Sequence, residues 1–157
     1  MKKQNVLSLI ALFALTIHEA YPTASEDVVM TAKAEGYSAF HDAVMETKIY
    51  EHAKKDPNEE GSLAPFTIFV PTNESFAAAN NLKGLDPKIE KKIITCHVVP
   101  GKKIEKLSEE LGEGVSTVGQ QLLYYKENKL FLDDSDVKAT VIKGPIEARN
   151  GLVYVID

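Results

Sequence analysis

Between residues 26 and 56 the apolar positions recur at helical spacing. Val28, Val29 and Ala32 form one stripe behind Glu26 and Asp27, carboxylates that favour the positive end of a helix dipole, and Gly36 supplies a stop. Ser38 is placed to cap a second helix whose apolar face holds Phe40, Ala43 and Val44. A third short helix, over residues 48–55, would bury Ile49 and Ala53. His41 and His52 fall at polar positions here and read as solvated or helix-end histidines, not ligands. Residues 56–62, with Pro57, Asn58 and Gly61, form a loop.

The pattern then changes period. Residues 66–70 are aromatic or β-branched at every position, which predicts a strand, and Pro71 ends it by withholding a ladder donor. Thr72 or Asn73 caps the helix that follows, running through Phe76 to about residue 80. Asn73-Glu74-Ser75 also matches a glycosylation acceptor, but an asparagine bonded into a cap does not present its amide to a transferase. Asp86-Pro87 opens a further helix with Ile89, Ile93 and Cys96 or His97 on one side. Val98-Val99-Pro100-Gly101 turns the chain into strand and turn. From Val115 onward, short β-rich segments are punctuated by Glu127-Asn128, Asp133 to Asp136, Gly144-Pro145 and Asn150-Gly151. This predicts a meander of short antiparallel strands, with Asn150-Gly151 its strongest hairpin signal.

The first 25 residues stand apart. Lys2 and Lys3 precede an apolar run of about a dozen residues, where a spanning helix needs about 20, and the small residues Thr23, Ala24 and Ser25 follow. Residues 1–25 therefore read as a secretory signal peptide, cut after Ser25 or Ala20, rather than as a membrane anchor. Residues 26–157 are the expected mature domain. No lipid-attachment signal is evident, so the mature chain is expected to be secreted, extracellular or periplasmic, without a membrane anchor.

Composition narrows the function classes. A chain of 157 residues with 44% hydrophobic and 26% charged positions is neither disordered nor fibrous and suits one core. Its net charge of −5 opposes the phosphate attraction on which nucleic-acid binding rests. Cys96 is the lone cysteine, so neither an internal disulfide nor a cysteine-based zinc site can form. Cys96-His97 places a nucleophile next to a base, yet neighbouring side chains diverge on a helix and oppose each other on a strand, so no dyad forms by adjacency. Asp133-Asp134-Ser135-Asp136 lacks the glycine turn and bidentate glutamate of a calcium loop. The chain is expected not to be an enzyme, and no catalytic, cofactor or metal residue is assigned.

Phe66-Thr67-Ile68-Phe69-Val70-Pro71-Thr72-Asn73-Glu74-Ser75-Phe76, then Cys96-His97-Val98-Val99-Pro100-Gly101, then the closing Asn150-Gly151-Leu152-Val153-Tyr154-Val155-Ile156-Asp157 together resemble the fasciclin domain, in that family's order. The resemblance spans residues 26–157 and implies an α+β fold, a β-sandwich or wedge of short strands packed by several α-helices. It also implies non-covalent adhesion or interaction with extracellular or envelope partners: a protein, a cell surface or a matrix polysaccharide. The alternative it leaves open is a carrier of a small apolar ligand, carotenoid- or lipid-like. Cys96, His97, Val98 and Val99 form the candidate interaction or structural motif, with Thr72 and Asn73 as structural cap. In the family a tyrosine commonly precedes the central histidine and is implicated in cell-surface adhesion in some animal members. Here Cys96 holds that place, which removes the pair.

Overall fold

The structure is a computed structural model that describes residues 24–79 and 85–157. The signal peptide assigned to residues 1–25 lies outside the described residues except for Ala24 and Ser25. Six helices and seven strands follow in the order α1 (Val28–Ala34), α2 (Ser38–Glu46), α3 (Tyr50–Ala53), β1 (Phe66–Pro71), α4 (Asn73–Ala78), α5 (Pro87–Thr95), β2 (Val98–Pro100), α6 (Leu107–Glu110), β3 (Val115–Ser116), β4 (Leu122–Lys126), β5 (Lys129–Leu132), β6 (Lys138–Ala148) and β7 (Gly151–Ile156), counted among the described residues.

The first helices form where the apolar stripe predicts them, but their ends are tied differently. Asp27 caps α1, its Oδ1 accepting from Val29 and Met30 N–H at 3.0 and 2.9 Å, while its Oδ2 accepts from the Tyr50 hydroxyl of α3 at 2.9 Å. Ser38 does not cap α2: it is already the first helical residue, and Tyr37 at the cap position makes no side-chain bond. The missing acceptor comes from Asn73, whose Oδ1 accepts from Ala39 N–H at 3.1 Å and whose Nδ2 donates to the Gly36 carbonyl at 3.0 Å. Asn73 consequently is not the cap of its own helix. Thr72 fills that role, accepting from Ser75 N–H at 3.1 Å, which leaves Asn73 inside the first turn with its amide turned sideways to α2. His41 is buried, not solvated, because the inward face of α2 is wider than its apolar residues, and Nδ1 meets Asp42 Oδ1 at 2.9 Å. In α5, capped by Asp86 as expected, Ile94 and Thr95 face inward while Ile89 remains 50% exposed.

The sheet order is β2-β1-β7-β6-β5-β4-β3. Neighbours run antiparallel except that β7 lies parallel to β1, inserted between β1 and β6. The tail is thus not a plain meander. Gly144-Pro145 is not a turn either; it sits within β6, where the register against β7 shifts on both sides of Lys143. The β6–β7 hairpin is present, yet neither Asn150 nor Gly151 takes a positive φ. Gly151 opens β7 against Phe66, where a Cβ would overlap the Phe66 carbonyl oxygen.

Alternation along the central strands divides the interior. Phe66, Ile68, Val70, Val98 and Val153 face the helices, packing with Val28, Phe40, Val44 and Ile49. Phe69, Val99, Tyr154 and Ile156 face the other way, onto Leu123 of β4, Leu130 of β5, Ile104 and Leu111. Because β6 pairs with β5 through residues 138–140 and with β7 through residues 141–148, it carries the sheet around this second core. The result is the α+β wedge: helices, a central sheet and a folded-over half-sheet. Tyr154 anchors the second core, stacked on Phe69 at 5.4 Å and donating to the Ile104 carbonyl at 2.6 Å. Burial pushes its phenol up to about 12, so it stays a neutral donor.

The two capping roles separate experimentally. Asn73→Ala should lower unfolding free energy by about 1 kcal/mol or more, since it strips α2 of its cap from 34 residues away, whereas Ser38→Ala should change little. Denaturant midpoints of the two variants check this; equal midpoints would place the cap elsewhere.

Candidate functional site

Helix α5 ends at Thr95, and the next four residues cross from helix to strand. Cys96 closes the helix, with its N–H bonded to the Ile93 and Lys92 carbonyls at 3.2 Å. Its thiol is buried and donates to Gln121 Oε1 at 3.3 Å. Burial pushes that thiol up, so a thiolate does not form readily. The loop before β4 closes over it tightly: a Cβ on Gly119 would come within 2.6 Å of Cys96 Sγ, so glycine alone allows this approach.

His97 turns its ring the other way. Nδ1 donates to the Ile93 carbonyl, one helical turn earlier, at 2.8 Å, and the ring packs tilted against Phe40 of α2 at 5.9 Å. Burial pushes the imidazole down, and the bond to Ile93 opposes this only in part. Its own carbonyl accepts from Phe69 N–H at 2.9 Å, so the residue also pairs with β1. Cys96 and His97 therefore take separate partners and form no dyad. Val98 and Val99 are buried on opposite faces of β2, one in each core. The four candidate residues are brought together as a junction between α5, β1 and the two cores, and they offer little side-chain surface to a partner.

Sequence reasoning missed the surface beside this junction. An apolar recess of about 250 Å³ opens between α3 and α5, lined by Ile49, Ala53, Leu63, Phe66, Thr95, Val98 and Val118, with His52 and Lys91 among its charged or polar residues. Leu63, 49% exposed, falls between the loop of residues 56–62 and the strand of residues 66–70 and carries no reading of its own. Lys91 also lines an adjoining recess with Lys48, Lys88, Glu46 and Glu90. Among the described residues no three His, Cys, Asp or Glu side chains are grouped to hold a metal ion, and no helix is long and apolar enough to cross a membrane. Asp133 instead accepts from Leu122 N–H at 3.3 Å, and the Ser135 hydroxyl accepts from Val137 N–H at 3.1 Å.

The largely enclosed His97 imidazole makes stability depend on pH. A histidine whose folded pKa lies below its unfolded value of about 6.5 is neutral in the fold, and the unfolded chain binds the extra proton. Unfolding free energy should therefore fall as pH drops below about 6.5 and level off beneath the folded value. His97→Asn, which keeps a donor for Ile93, should flatten that part of the profile. An unchanged slope in this variant would show that His97 does not carry the titration.

Comparison with known proteins follows the same outline. The family model for the fasciclin domain matches residues 35–157. Protein sll1483 of the cyanobacterium Synechocystis is 41% identical over 100 residues, covering 59% of this chain and 53% of that protein, so the chain spans about half the length of this curated relative. A solved FAS1 domain pair from the insect cell adhesion molecule fasciclin I superposes with a TM-score of 0.59 at 21% identity, covering 80% of this chain and 45% of that one. At that identity the likeness speaks for the fold, and the fold is the same wedge of helices and strands. The family match covers most of the sequence, and the chain belongs to the fasciclin domain family.

Proposed function

We propose that the chain is an exported fasciclin-domain protein, with a leader over residues 1–25 and the domain over residues 26–157, acting by non-covalent contact with an extracellular or envelope partner. That partner is a protein, a cell surface or a matrix polysaccharide. The observation that carries this reading is the arrangement at residues 96–99. The chain's one thiol and its neighbouring base are each engaged in holding secondary structure together, which favours binding over chemistry. The insect relative, described as a cell adhesion molecule, supports the same class of role.

A ligand carrier is the second reading, and the apolar recess favours it. Its volume of about 250 Å³ lies below the ~300–1,000 Å³ of ordinary small-molecule sites, too small to enclose a carotenoid.

Exported protein should have an intact mass lacking residues 1–25 or 1–20, and a mature N-terminus at Met1 would refute processing. Surfaces coated with that protein should retain envelope or matrix material saturably and release it to excess soluble protein. Retention should be unaltered in Cys96→Ser. A His97→Ala variant should lose about 2–4 kcal/mol of stability through the cavity and the lost bond to the Ile93 carbonyl, with binding lost only as fold is lost. Folded His97→Ala of wild-type stability that no longer binds would place the histidine in the recognition surface, and absence of any competable retention would overturn the adhesion reading.

A further inference from the structure

We propose that the recess between α3 and α5 binds the alkyl tail of a small anionic amphiphile, of the class of medium-chain carboxylates, with the head group meeting Lys91. This proposal rests on the ligand-carrier reading, whose ligand class it names, and is independent of the adhesion reading, because it concerns a different surface and a different kind of ligand.

The tail follows from what lines the recess. Ile49, Ala53, Phe66 and Val98 belong to the helix-side core, so the recess is a place where packed core side chains lack neighbours on one side. An alkyl chain would restore those dispersion contacts and take the exposed Leu63 out of water. Thr95, which could have made the recess polar, has its hydroxyl within 2.9 and 2.8 Å of the Lys91 and Lys92 carbonyls of its own helix. A water needs two to four polar partners to be held, and of the polar residues lining the recess only His52 and Lys91 remain. The volume suits a short, slender chain and not a polycycle or long polyene.

The head follows from Lys91. It is exposed, and among the described residues no carboxylate stands within salt-bridge distance of it. It belongs to both recesses, and in the adjoining one Lys48, Lys88 and Lys91 outnumber Glu46 and Glu90. On a chain with net charge −5 this is a local excess of positive charge beside an apolar slot. A neutral apolar ligand would leave that charge without a role, and a cationic amphiphile would meet it with like charge.

Titration of the full-length folded protein with decanoate, decylammonium and decanol, below their aggregation concentrations and followed by methyl NMR, tests both halves. Decanoate should shift the methyl signals of Ile49, Ala53, Leu63, Val98 and Val118 saturably, and decylammonium should bind at least about fivefold more weakly. Lys91→Glu, a change at an exposed position, should weaken decanoate about tenfold and leave decanol unchanged. Leu63→Asp should weaken decanoate and decanol together. The proposal fails if these methyls show no saturable shift, if decanoate and decylammonium bind alike, or if folded Lys91→Glu binds decanoate as the wild type does.

Discussion

The layers of this domain meet at the Asn150 carboxamide, which is 1% exposed. Its Oδ1 accepts from Val28 N–H at the start of α1 at 2.9 Å. Its Nδ2 donates to the Ala53 and Lys55 carbonyls, at the end of α3, at 2.7 and 2.9 Å, and its own carbonyl accepts from Phe66 N–H at the start of β1 at 2.9 Å. One residue in the β6–β7 turn therefore satisfies a helix start, a helix end and a strand start across separations of 84 to 122 residues. A buried amide must be bonded at every polar atom or it opposes folding, and this one is. Gly151 completes the arrangement by letting β7 lie against the Phe66 backbone, and Arg149 adds a peripheral clasp to Asp56, Lys54 and Ser25.

With the helices fixed to the β6–β7 turn, the parallel β1–β7 pair becomes the middle of the protein, and residues 96–99 become the point where α5 feeds into its edge. This explains why the segment most suggestive of chemistry is so thoroughly engaged. Cys96, His97, Val98 and Val99 each answer a packing or hydrogen-bonding need created by the crossing from helix to strand. What they leave free is the flank of α5, where Lys91 and the recess lie. The residues quoted in the sequence motif join α5, β1 and the two cores.

How much of this was legible follows from the range of each signal. The stripe Val28, Val29, Ala32, the Asp86-Pro87 helix start and the strand at residues 66–70 were read correctly because periodicity and capping act within a few residues. Partner choice acts at long range and left no such trace. A run buried on both faces, as β7 is, states that a strand is central but not that its neighbour is β1 in parallel. Asn73 looked like a local cap and serves a helix 34 residues away. Asn150-Gly151 looked like a hairpin signal, and a hairpin is there, but the asparagine is present for its buried amide and the glycine for its missing Cβ. The motif residues 96–99 were visible as a unit; the recess beside them was not, since its walls come from α3, the loop before β1, β1 itself, α5, β2 and the loop before β4.

The two explanations of Asn150 part company in one substitution. Asp-Gly serves a two-residue turn as well as Asn-Gly, so Asn150→Asp keeps the turn chemistry and the acceptor for Val28 while replacing the donor to Ala53 and Lys55 by a carboxylate oxygen. If the carboxamide joins the layers, equilibrium denaturation of Asn150→Asp at neutral pH should show a loss of about 2 kcal/mol or more, partly recovered in acid where the carboxyl regains a proton to donate. A wild-type midpoint for Asn150→Asp at neutral pH would contradict the account and return Asn150 to the role of a turn residue.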